Sequence, residues 1–147
     1  MKNIIITIDM SASIDYQLNK FLKIVYLLSK FSKKVIIIFH DYNIVDEIEI
    51  NQKVSKEYIM NLKQPYGGGT SHQYVFERID QIYDEEDISH IVFLSDFMSD
   101  FYHLKEYNFL DEFEVTWSCW ITQNILKFGY YLNGNYIQIM KRREEEK

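Results

Sequence analysis

The chain has 147 residues, 47% of them hydrophobic and 16% aromatic, which suits one domain around a single core. A formal net charge of −6 argues against generic nucleic-acid binding, which needs a basic stripe to neutralise phosphates. No apolar run approaches the roughly 18 residues that cross a bilayer, and a single proline argues against disorder or a stiff linker.

The opening MKNIIITIDM is apolar too briefly for a signal-peptide core and is broken by Asp9. Cys119 is the only cysteine, so no intrachain disulfide is available, and a reducing compartment, the cytoplasm, is expected. Residues 3–8 form a nearly continuous β-branched run, the pattern of a strand buried on both faces of a parallel sheet. Residues 15–31 place Leu18, Phe21, Leu22, Val25 and Leu28 at helical spacing with lysines between. A second buried strand is predicted over 34–39, and an edge strand with one wet face over 44–50.

A short helix is predicted over 55–62. Gly67, Gly68 and Gly69 follow, then a helix over 72–83 that buries Val75, Phe76, Ile79 and Ile82. Residues 91–94 are a third buried strand ending at Ser95-Asp96, residues 104–112 a helical turn or two, and residues 114–121 a fourth buried strand. Asn133-Gly134 lies between two strand-like runs, the signal of a type I′ hairpin. This alternation predicts a doubly wound, mainly parallel, Rossmann-like α/β sheet with helices on both faces, one antiparallel edge strand and a C-terminal hairpin. One domain over 1–141 is expected. Beyond Lys141 come Arg142, Arg143 and then Glu144, Glu145 and Glu146, a solvated charged tail over 142–147.

Ligands on such sheets bind at the carboxyl ends of the strands. There the first strand ends in Asp9-Met10-Ser11-Ala12-Ser13, the third buried strand ends in Ser95-Asp96, and Thr70 follows the glycines. Carboxylate, hydroxyl and water oxygens are the donors Mg²⁺ takes. No Cys or His accompanies the cluster, which disfavours zinc.

The order Asp9-x-Ser11-x-Ser13, then Thr70, then Asp96, resembles the metal-ion-dependent adhesion site of von Willebrand factor A (VWA) domains. The stretches IIITIDMSASI, YGGGTS and HIVFLSDFMSD are similar to the VWA-like domain of bacterial metallopeptidase-related proteins, as is the final FGYYLNGNYIQI hairpin after Trp117 and Trp120. The resemblance implies a Mg²⁺ or Mn²⁺ ion bound directly by Ser11 and Ser13. Thr70 would act directly or through water, and so would Asp9 and Asp96. It leaves one coordination position for a Glu or Asp of a partner protein, which in related systems is often an AAA+ ATPase. Two departures stand out: Ala12 and Phe97 occupy positions where glycine is common. Neither removes a ligand oxygen.

Each piece has a plainer reading. Ser11 or Ser13, and Thr70 or Ser71, suit helix N-caps, and Asp96 suits an Asx turn. Asp41 reads as a turn former, Asp100 as a loop acid and Cys119 as a core thiol. His72 either lines the rim of the site or lies on the helix surface. The glycines lack the Lys of a phosphate-binding loop. Three functions follow as expectations: a non-catalytic, metal-dependent protein-binding module, a metal-free scaffold using Phe97, Phe101 and Tyr102, or a small metal-dependent hydrolase. The last lacks an evident general base.

Overall fold

The computed structural model of the chain describes residues 2–11, 17–62, 69, 71–96, 114–119 and 135–138. Strand β1 (Lys2–Asp9) holds Ile4, Ile5, Ile6, Thr7 and Ile8, whose branched Cβ atoms favour extended backbone and pack on both faces of a sheet. It runs through the interior of a six-stranded sheet of order β3-β2-β1-β4-β5-β6. Strands β2 (Ser32–His40) and β4 (His90–Leu94) flank it in parallel. Strand β5 (Glu114–Cys119) pairs in parallel with β4, and β6 (Asn135–Gln138) in parallel with β5.

Strand β3 (Ile44–Ile50) is the antiparallel edge, and its alternating burial matches its alternating sequence. Of the predicted C-terminal hairpin, Asn135–Gln138 is the described part. Asn133-Gly134, the run before it, residues 97–113 and the tail lie outside the described residues.

Strand parity sorts the core into two layers. Ile4, Ile6 and Ile8 of β1, Val35, Ile37 and Phe39 of β2, and Val92 and Leu94 of β4 face one side. Helix α1 (Leu18–Ser29) covers that side with Leu18, Phe21, Leu22 and Val25, a single stripe at helical spacing. Ile59 of α2 (Lys56–Met60) joins the same cluster. The other face carries Ile5, Thr7, Ile36, Ile38, Ile91 and Phe93, all buried. Helix α3 (Gln73–Glu85) closes it with Val75, Phe76, Ile79 and Ile82, and the Phe76 and Phe93 rings lie 5.3 Å apart. Each such side chain contributes roughly 1.5–3 kcal/mol on burial, so the isoleucine-rich strands dominate over any single surface ion pair.

The helices start a little later than their periodicity predicts. Helix α1 has Gln17 at its N-cap and no side-chain cap bond, so Ser11 is not its cap; Ser13 lies outside the described residues. At α3 the N-cap is His72, and Ser71 Oγ accepts from the Gln73 amide at 3.3 Å. Helix α2 is capped by Ser55, whose hydroxyl accepts from Tyr58 N at 3.1 Å.

The chain leaves β1 through α1 to reach β2 on one side. It returns through α3 to β4 on the other. The strand order therefore reverses at β1, and the crevice beyond the carboxyl ends of β1 and β4 is the switch point where such sheets bind ligands.

Candidate functional site

Asp9 is the last residue of β1, and parity turns its side chain with Ile5 and Thr7 toward the α3 face. It is fully buried. Ser11 N donates to Asp9 Oδ1 at 2.8 Å, which curls the chain just past the strand. Ser95 Oγ donates to Asp9 Oδ2 at 2.7 Å. Ile8 pairs with Leu94, so one further step along both strands brings Asp9 level with Ser95. Asp96 follows at once and is also fully buried, as Ser11 nearly is. Of the five sequence-predicted ligands, Asp9 and Ser11 are thus joined by a hydrogen bond, and Asp96 is buried next to Ser95, which bonds Asp9.

The other two, Ser13 and Thr70, lie outside the described residues, but the neighbour of Thr70 is held at the same edge. Met10 N donates to His40 O at 2.6 Å, keeping β1 and β2 together to their ends. Asp41 then turns the chain, its Oδ1 accepting from Asn43 N at 3.0 Å. Its carbonyl accepts from Ser71 N at 3.0 Å. Asp41 is therefore the turn former its sequence suggests, and its backbone anchors the segment leading into α3.

Gly69 lies against the ring of Tyr42. A Cβ built there would meet that ring's far end, so a side chain fits only where the exposed Tyr42 ring moves aside. Gly67 and Gly68 lie outside the described residues.

Beneath Asp9 lies an unexpected pair. His40, the register partner of Asp9, and His72 are both fully buried, with ring centroids 4.9 Å apart edge to face. His72 also sits 6.3 Å from Phe76 and 6.2 Å from Phe93. Burial pushes the His40 imidazole below its ordinary pKa, against the opposing pull of the Asp9 carboxylate. Burial lowers His72 further, and the neighbouring His40 adds to the effect. Both rings are neutral at neutral pH.

This corrects the expectation that His72 lines the rim or the helix surface. The signal was present: positions 72, 75, 76 and 79 form one apolar helical stripe. Likewise Ile36-Ile38-His40 and Ile91-Phe93-Ser95 alternate onto the Asp9 face, which would have found His40 and Ser95.

These donors suit a hard divalent cation. They are oxygens, the carboxylate is pre-oriented, and a carboxylate oxygen accepts more than one bond, so the contacts to Ser11 and Ser95 are compatible with a cation as well. Among the described residues no group of three His, Cys, Asp or Glu comes together, so any cation there would lean on hydroxyl and water oxygens beside at most two carboxylates.

A doubly wound sheet with this strand order and an aspartate–serine cluster at its switch point defines a Rossmann-like domain with a strand-end site. Residues 4–123 match the family model of the VWA-like domain (DUF2201), and the chain belongs to that family. No curated protein matches. Among solved structures, the conserved hypothetical protein BatB from Bacteroides thetaiotaomicron superposes with a TM-score of 0.73 over 99% of this chain and 94% of that one. At 13% identity that likeness establishes the fold alone.

Proposed function

We propose that the chain is a non-catalytic protein-binding module in which Asp9, Ser11, Ser13, Thr70 and Asp96 hold Mg²⁺ or Mn²⁺ for a partner's acidic residue. The observation that carries the reading is the buried Asp9 carboxylate, clamped by Ser95 Oγ and Ser11 N beside Asp96 at the switch point. Such an ion, when bound, supplies a concentrated positive charge and an open position for a carboxylate. Asp9 and Asp96 would offset that charge, and the bond from Ser11 N to Asp9 Oδ1 holds Ser11 beside the carboxylate. Ser95 orients Asp9 and leaves ion binding to its neighbours.

The partner is a protein presenting a Glu or Asp. Similarity to VWA-like domains of metallopeptidase-related proteins suggests an AAA+ ATPase assembly. A hydrolase is disfavoured because, among the described residues, the imidazoles beside the cluster, His40 and His72, are sealed in the core and cannot touch a substrate. A metal-free scaffold is the second reading: the hydrogen bonds to both Asp9 oxygens would hold the cluster without an ion.

Calorimetric titration with Mg²⁺ and Mn²⁺ tests the site. Saturable binding by the native chain that Asp9→Ala with Ser11→Ala abolishes is expected. No heat from the native chain, or equal heat from the variant, refutes it. A partner complex that survives EDTA would favour the metal-free scaffold.

A further inference from the structure

Residues 16–40 contain five lysines and no acid, in a chain of 22 acidic residues. Lys34 is engaged by Glu49 at 3.1 Å and Glu86 at 2.8 Å on the α3 side. Lys23, Lys30 and Lys33 are exposed, as is Lys53 just beyond β3. Among the described residues no carboxylate pairs with these four. Two large apolar side chains stand among them: Leu27 is 54% exposed and Phe31, in the turn from α1 into β2, is 76% exposed. Positions 23, 27 and 30 share one helical stripe.

Beside this stripe runs a groove of about 280 Å³ lined by Tyr26, Ser29, Lys30, Lys53 and Val54, with no acid in its wall. Lys30 Nζ lies 4.6 Å from the Tyr26 ring centroid. Antiparallel β3 ends at the edge where β2 begins, so the groove sits at the opposite end of the sheet from Asp9 and Asp96.

We propose that the C-terminal end of α1, the turn at Phe31 and the segment at Lys53 and Val54 form a docking surface for an acidic, apolar-bearing peptide segment of a partner protein. Charge complementarity selects the acid: the exposed ammonium groups of Lys30 and Lys53 line the groove, Lys23 and Lys33 are exposed on α1 and at the start of β2, and none of the described lining residues is an acid. The groove selects a peptide over a lipid surface, because it accepts an inserted side chain while a flat bilayer leaves it unfilled. Tyr26 and Val54 in the wall give that side chain apolar contact that a bare anion cannot use, and the exposed Leu27 and Phe31 offer further apolar surface at the same end of α1. The surface is independent of the switch-point site, so EDTA leaves its binding unchanged.

Fluorescence anisotropy with a short labelled glutamate peptide carrying a central Phe-Leu pair tests the surface. Saturable binding that weakens with salt is expected. Lys30→Glu with Lys53→Glu should weaken it by at least ~10-fold through reversed steering and contact charge. Phe31→Ser should weaken it at unchanged salt dependence, and amide shifts should cluster on α1 and residues 53–54. All three positions are exposed, and circular dichroism of each variant confirms folding; Lys30→Gln with Lys53→Gln gives a milder second test, expected to fall between native and charge-reversed chains. The proposal is overturned by absent saturation, undiminished binding in the charge-reversed chain, equal binding of a glutamate peptide without Phe-Leu, or shifts confined to the Asp9 edge. Binding to phosphatidylserine vesicles but not to the peptide would overturn it in favour of a lipid surface.

Discussion

Ser95 is the residue on which the geometry of Asp9 turns. Its hydroxyl makes a charge-assisted bond to a fully buried carboxylate, the kind worth about 1.5–3 kcal/mol. Ser95→Ala should therefore lower unfolding free energy by about that amount in urea titrations, and also weaken any cation bound at Asp9. Unchanged stability would mean that the other contacts of Asp9, the Ser11 amide among them, suffice. The His40–His72 pair makes a second, pH-dependent claim. Both imidazoles titrate below the ordinary value of about 6.5, so the unfolded chain takes up protons first as pH falls. The stability due to the neutral pair is complete above about pH 6.5 and is lost as pH drops toward the folded-state values. The slope approaches about 1.4 kcal/mol per pH unit for each histidine. Denaturation between about pH 7 and pH 5 should show it, and His72→Phe, which keeps an aromatic ring against Phe76 and Phe93, should roughly halve the slope. Parallel pH profiles for the two chains would refute the assignment.

At the scale of elements, what a sequence reveals depends on whether a pattern is periodic. The isoleucine runs of β1 and β2, the alternation of β3 and the apolar stripes of α1 and α3 were all legible, because burial on two faces, one face or one stripe leaves distinct spacings. Helix starts were less legible: α1 and α3 begin without a side-chain cap bond from their N-cap residues, so the serines before them misplace the boundary. The candidate oxygen donors were legible because they cluster at strand ends, where such sheets bind ligands. His40 and His72 did not, because a polar residue within an apolar period looks like an interruption until a partner element buries it. Gly69 illustrates the same limit: its closeness to Tyr42 is a tertiary fact that sequence does not carry. Since Tyr42 is 60% exposed and the collision involves the flexible end of its ring, the ring can swing away. Gly69→Ala should then cost no more than about 1 kcal/mol, and that cost should vanish in a Tyr42→Ala background. A larger penalty that persists without Tyr42 would point to a backbone requirement instead.

Across the whole molecule, the candidate site is a product of topology. Asp9 and Ser95 are 86 positions apart in the chain and meet only because β1 and β4 are neighbours, while Ser71 is tied to the turn at Asp41 between β2 and β3. No local segment can form this arrangement alone, so a ligand that needs it binds the folded chain and not the unfolded one. If Mg²⁺ or Mn²⁺ is the ligand, as proposed, linkage requires it to stabilise global folding by RT ln(1 + [L]/Kd), about 2.7 kcal/mol when the ion is at 100 times its Kd. For a domain of this size that is a rise in Tm of roughly 5–10 °C. Asp9→Ala and Asp96→Ala should each abolish the metal-induced increment, whatever they do to Tm in its absence. Charge reversal at Lys30 and Lys53, at the far end of the sheet, should leave the increment intact. A melting curve of the native chain that does not move with either ion at saturating concentration would remove the metal from the function while leaving the fold, its buried histidines and the basic groove in place.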